Sequence, residues 1–286
     1  MRRRAPILFV LVTSLAPQVW AETAETGFWE EMATPGITEY RVHIAAAQER
    51  IRAADHEGAL VSLRRAVVML PDQAEGHLWT AYCESMLERH EEALRSWERA
   101  VSIDRTVLDD ETISFRFTIT LARVGRYQQA ARIYEQLLAR GVSPALRPIV
   151  LLNMGDMLVA ASCDGLDEAI DLYQECARDY PDMAGCHWGL AAALFRDGRR
   201  DEADQELSTA ERLDSQWRSL NSEDVFFVPS YEVHLYRALG WHGRGNPGQA
   251  RLELDEYLEG GGAQGCWSDL IRQTRDGLDR GGAGRR

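Results

Sequence analysis

Seven histidines and five cysteines carry most of the reactive potential of this chain. Their spacing decides what chemistry is open to them. His43, His77, His187 and His234 each lie 16 residues before a recurring alanine, and His56 and His90 each lie three before it. Six of the seven therefore recur in register. A metal centre needs ligands that converge, whereas residues repeating with the chain are spread along it. No H-E-x-x-H occurs: His56-Glu57 and His90-Glu91 lack a second histidine. The recurrence instead points to structural slots that suit a half-buried ring, and no metal site or cofactor is expected. The cysteines are Cys83, Cys163, Cys176, Cys186 and Cys266, and none forms a C-x-x-C. Cys176 and Cys186 flank Pro181 on what read as consecutive antiparallel helices. They are the first candidates for a disulfide, the alternative being two buried small residues. There is no G-x-S-x-G, and no serine or cysteine has an activating neighbourhood. Lysine is absent altogether. That removes P-loop, Schiff-base and pyridoxal-phosphate chemistry, each of which needs an amine. An enzyme is not expected.

The elements that hold these residues are helical. With 45% hydrophobic and 27% charged residues over 286 positions, the chain can build a packed core. Its net charge of −13 argues against nucleic acid and against anionic membrane as partners. Met1 to Ala21 has the layout of a secretory signal: Arg2, Arg3 and Arg4, an apolar run from Ile7 to Ala16, and Val19-Trp20-Ala21 before Glu22. The apolar run is short of the roughly 20 residues a spanning helix needs, so no membrane span is expected after cleavage. Export to an oxidising compartment, periplasmic or secreted, follows as an expectation. Residues 22–38 read as a polar lead.

From Glu39 onward the pattern is helical, with no period-2 strand of useful length. Alanines at 59, 93, 130, 169, 203 and 250 are separated by 34, 37, 39, 34 and 47 residues. Four residues after each stands a large side chain: Leu63, Trp97, Tyr134, Tyr173, Leu207, Leu254. Seven after stand Ala66, Ala100, Leu137, Cys176, Ala210 and Tyr257. Twelve before stand the small or short residues Ala47, Ala81, Thr118, Ala191 and Ala238, with Gly155 in that place in a shifted fourth unit. Pro71 and Pro181 close their units, and Gly125, Gly198 and Gly245 mark the inner turns. Small residues let two helices approach, and large ones fill the space between units. A single pair cannot bury its own apolar face, so the units must stack.

This pattern resembles the tetratricopeptide repeat, best in the fifth unit (Trp188-Gly189-Leu190-Ala191 through Ala203, Leu207 and Ala210) and nearly as well in the second (Ala81, Ala93, Trp97, Ala100). The resemblance covers roughly Glu39 to Leu258. It implies an all-α, right-handed α-solenoid of about six antiparallel helix pairs over 39–259, with a concave groove for a protein or peptide. Two features lie outside the repeat. Residues 215–230 form an insertion containing Trp217 and Val225-Phe226-Phe227-Val228-Pro229, which packs back on the solenoid side or folds toward the groove. Residues 260–280 read as a C-terminal capping helix, and 281–286 as a tail.

In the resembled repeat the first helices line the groove. An apolar and aromatic stripe runs along them: Leu78, Tyr82, Phe115, Ile119, Leu152, Trp188, Phe195, Leu235, Tyr236 and Leu239. A partner's helix or extended peptide would use such a wall. The alternative is that much of the stripe packs between helices and only its edge is exposed. The functional expectation is an exported interaction scaffold. The second reading is a structural component of a larger cell-envelope assembly that uses convex or edge surfaces.

Overall fold

The computed structural model describes residues 32–221 and 229–281. The signal-like segment Met1–Ala21 and the apolar run Val225–Val228 lie outside the described residues. Fourteen α-helices and no strands are found among the described residues. They pair as α1 (Ile37–Arg52) with α2 (His56–Met69), α3 (Ala74–Met86) with α4 (His90–Ile103), α5 (Glu111–Arg123) with α6 (Tyr127–Arg140), α7 (Arg147–Ala161) with α8 (Leu166–Asp179), and α9 (Ala184–Arg196) with α10 (Arg200–Leu213). A short α11 (Arg218–Asn221) precedes the sixth pair, α12 (Glu232–Gly243) with α13 (Pro247–Glu259). The cap α14 (Ser268–Gly281) ends the described chain. The fold is the all-α solenoid of stacked helix pairs that the repeat implies.

The repeated positions make the core. All six recurring alanines are buried, as are the large side chains four residues on and the residues seven on, from Leu63 and Ala66 to Leu254 and Tyr257. In α8 the buried Leu166, Ala169, Ile170, Tyr173 and Cys176 fall at three- and four-residue spacing, so one stripe faces inward. Glycine is needed where two helices close on an aromatic ring. A Cβ on Gly155 or Gly189 would stand 2.6 or 2.7 Å from the Tyr173 ring, which lies between α7 and α9. Five of the six inner turns, all but the fourth, reverse through a left-handed residue five positions before the alanine. Gly125, Gly198 and Gly245 fill that slot in three units, but Ala54 (φ 58°) and Glu88 (φ 59°) fill it in the first two. Those two turns carry the steric cost that glycine avoids.

The first five pairs follow one order, but the sixth does not. α7 and α9 are parallel, since Leu152 early in α7 meets Gly185 and Gly189 early in α9. By contrast α12 starts at the far end of α9, where Glu232 pairs with Arg196. It finishes beside the end of α10, where Arg244 donates to Glu211 at 2.9 Å. Trp217 lies between Trp188 near the start of α9 (ring centroids 6.1 Å apart) and Trp241 near the end of α12 (4.9 Å). Thus α12 runs head to tail with α9. Residues 214–231 join α10 to α12.

Two cystines are formed. Cys176 is bonded to Cys186 across the turn between α8 and α9, and Cys163 is bonded to Cys266, which lies 103 residues further along the chain. The second bond ties the turn after α7 to the start of α14. Cys83 is free and buried.

Candidate functional site

The first helices form one layer. Successive members of that layer touch, α7 with α9 and α9 with α12, in addition to touching their own second helices. This layer divides into two unlike halves.

In the first half, Leu78, Tyr82, Phe115, Ile119 and Leu152 on α3, α5 and α7 remain partly exposed. The Arg116 guanidinium lies 4.7 Å over the Tyr82 ring, tying the layer together across α3 and α5. Phe115 packs against Tyr134 with ring centroids 6.2 Å apart. Asn153 donates to the Tyr134 hydroxyl at 3.2 Å, so that amide is occupied within the fold. Burial pushes the Tyr134 phenol up to about 12, and it stays neutral.

The second half is closed. Trp188, Phe195, Leu235 and Tyr236 are 1, 3, 0 and 5% exposed, so they do not line an open wall. The reason is the reversed sixth pair, which lies over α9 and buries an unbroken run from Cys186 to Arg196. A helix in a regular open stack keeps one solvated face. Leu239 is only half-buried. It lines, with Phe195, Leu207, Leu235, Leu254 and Leu278, a cavity of about 280 Å³ between α9, α10 and the C-terminal helices.

At one end of this half sits a buried polar cluster that the apolar stripe gave no sign of. Tyr173 on α8 donates to Asp156 on α7 at 2.6 Å, and Tyr236 on α12 donates to the same oxygen at 3.4 Å. Arg196 on α9 pairs with Glu232 on α12, which also accepts from Tyr257 on α13 at 3.1 Å. Burial is the main force on Asp156. With help from the nearby Glu232 charge, it raises the carboxyl to about 7 against the opposing pull of Tyr173, Tyr236 and Arg196. Burial and then the Glu232 charge also raise the phenol of Tyr127, at the start of α6.

The histidines occupy structural slots. His77 donates to the Pro71 carbonyl at 2.9 Å, and His187 contacts the Pro181 carbonyl at 3.1 Å in the same way. His187 and His234 reach glutamates 19 residues on, at 2.6 and 2.7 Å. Among the described residues no group of three or more His, Cys, Asp or Glu could hold a metal ion. No helix among them is long and apolar enough to cross a membrane.

Comparison with known proteins agrees with this geometry. Residues 44–105 and 166–220 match tetratricopeptide-repeat models. The solved structure of MamA, residues 41 to the end, from Desulfovibrio magneticus RS-1 is 15% identical with a TM-score of 0.54, over 62% of this chain and 96% of that one. MamA MSR-1 is 19% identical with a TM-score of 0.52, over 63% and 97%. PilW, described as a widely conserved type IV pilus biogenesis factor, is 17% identical with a TM-score of 0.52, over 81% and 97%. No curated protein matches the chain significantly. At such identities the likeness concerns the fold, and by fold the chain is a tetratricopeptide-type α-solenoid.

Proposed function

We propose that this chain is an exported protein-interaction scaffold that holds a partner helix or extended peptide along the inner wall of its first three repeats. The observation that carries the reading is the difference in exposure along one structural layer. Leu78, Tyr82, Phe115 and Ile119 offer partly exposed apolar and aromatic surface on consecutive first helices, while the equivalent surface of α9 is already covered. Apolar and aromatic anchors flanked by polar groups are what peptide-binding grooves use. Export is supported by the signal-like layout of Met1–Ala21 and by the two cystines, which suit an oxidising compartment.

A second reading has its own support. Val61 and Val68 project from the outer side of α2, and Val68 is 82% exposed. A scaffold built into a larger envelope assembly would use such a surface. Photo-crosslinking in the native host separates the two. With the crosslinker at Tyr82, Phe115 or Ile119, the groove reading expects a discrete adduct that the same crosslinker at Val61 or Val68 does not give. Adducts from Val61 and Val68 alone would transfer the function to the outer surface.

A further inference from the structure

We propose that the cavity between α9, α10 and the C-terminal helices is a binding site for a small zwitterionic amphiphile, whose apolar part lies inside and whose two charges sit at the mouth on Arg200 and Asp204. This site is separate from the groove of the first three repeats and stands or falls without it.

The cavity follows from the repeat code. Inside the regular stack a large residue of one unit seats on the small residues of its neighbours, as the Tyr173 ring does against Gly155 and Gly189. The sixth pair lies head to tail on the fifth, so large and small slots no longer alternate between them. The small residues Ala191 and Ala203 of one pair and Ala238 and Ala250 of the other border the same space, of about 280 Å³. Its walls are fixed. Phe195, Leu207, Leu235 and Leu254 belong to one continuous buried core with Trp217, and Leu239 and Leu278 pack against it. The Cys163–Cys266 bond anchors the start of α14, the helix that brings Leu278 to the wall. Small ligands use preformed, mostly apolar pockets of about 300–1,000 Å³ with a few polar groups that fix orientation, and this one stands at the lower end of that range.

The mouth supplies the polar groups. Arg200, Asp204 and His242 border the cavity and are exposed. The Arg200 guanidinium stands 3.9 Å over the Phe195 ring, so the cation rests on the cavity's own wall. It forms no ion pair among the described residues, whereas Arg196, Arg199 and Arg244 each reach a carboxylate. Burial draws its pKa down and the nearby Asp204 charge holds it up, so it remains a cation. Asp204 stands one turn further along α10, at the four-residue spacing that sets side chains about 5–6 Å apart on one face. Its carboxylate also has no ion pair among the described residues. The Thr274 hydroxyl is occupied, since it donates to the Leu270 carbonyl at 2.8 Å.

This mouth discriminates by charge. A lone anion on Arg200 is repelled by Asp204, and a lone cation on Asp204 is repelled by Arg200. A head carrying both charges satisfies both groups while its apolar part is removed from water in the cavity. A free amino acid with an apolar side chain and a short-chain lysophospholipid share that chemistry.

Isothermal titration of the full chain with four probes tests the site: L-phenylalanine, an eight-carbon lysophosphatidylethanolamine, octanoate and octylamine. One of the two zwitterions should bind at least tenfold more tightly than octanoate and octylamine, and the one that does so identifies the source. Arg200→Gln and Asp204→Asn alter only exposed side chains, and each should weaken that probe at least fivefold. Leu239→Phe, which fills the cavity, should weaken it as much; if that variant does not fold, the two mouth variants decide. Octanoate or octylamine binding as tightly as either zwitterion overturns the proposal. So does the absence of heat from all four probes, or a zwitterion that binds both mouth variants as tightly as the parent.

Discussion

The first three repeats and the last three are written in the same code, and they end in opposite states. Both halves bury the same slots: Ala59 and Ala93 as well as Ala203 and Ala250, Leu63 and Trp97 as well as Leu207 and Leu254. They differ in what lies on the first-helix layer. α3 and α5 keep Leu78, Tyr82, Phe115 and Ile119 partly open, whereas α9 is enclosed from Cys186 to Arg196. The repeat code governs how a helix pair packs internally. It does not specify which way the next pair points. The sixth pair turns around and buries its apolar surface against the first helices of its neighbours.

The comparison can be broken most severely at Trp217. Its ring joins α9 to α12, and its indole nitrogen donates to Glu211 at 2.7 Å. Trp217→Ala should cost about 3–5 kcal/mol. Chemical unfolding followed by hydrogen exchange should place the loss in 184–281 and leave 37–103 unaffected. A uniform loss along the chain would mean that the two halves do not differ in how they are held. Next in size is Gly189→Ala. The added carbon meets the Tyr173 ring, and overpacking of this kind costs about 1–3 kcal/mol in a thermal melt.

Asp156 sharpens the contrast through pH. Its carboxyl titrates at about 7 in the fold, against an ordinary value of 3.8. Between those values the folded chain holds a proton that the unfolded chain has released. Stability from this group is therefore fully present only below about 3.8 and is lost as pH rises from there to about 7. The groups facing it are Tyr173 on α8, Tyr236 and Glu232 on α12, Arg196 on α9 and Tyr134 on α6. Asp156→Asn should match the parent at pH 3 and exceed it at pH 8 by on the order of 1–2 kcal/mol. Equal stability of the two proteins at both pH values would remove Asp156 as a link between the repeats and the C-terminal pair.

The smallest expected effect belongs to the open half. Ala54→Gly and Glu88→Gly place glycine where the chain already adopts a left-handed turn. Each should stabilise by about 0.5–1 kcal/mol, since relief of the αL strain outweighs the added freedom of the unfolded chain. A loss of stability would show that these turns are not strained.

Much of the fold was legible because it is periodic. The alanine at the start of each second helix, the large residue four on and the small residue twelve before are local signals, and all report helix pairing. Gly125, Gly198 and Gly245 likewise mark inner turns, and each has positive φ. The exposure of the first helices follows the repeat pattern only where the stack is regular. Trp188 falls at the same place in its repeat as Leu78 and Phe115, and nothing in its own helix reveals what covers it. The signal was elsewhere, in the 47-residue spacing before Ala250. The Cys163–Cys266 pairing was hidden for the same reason: connectivity depends on the reversal, and five cysteines leave it undetermined. Asp156, Tyr173, Arg196 and Glu232 come from four helices with no shared spacing, so only the folded arrangement gathers them.

The most direct measurement is hydroxyl-radical footprinting of the unmodified chain, read residue by residue. Tyr82 and Phe115 should oxidise at least tenfold faster than Trp188, Phe195 and Tyr236, whose intrinsic reactivities are comparable or higher. Oxidation of Trp188 as fast as that of Tyr82 would contradict the account, because the fifth repeat would then be as open as the first three.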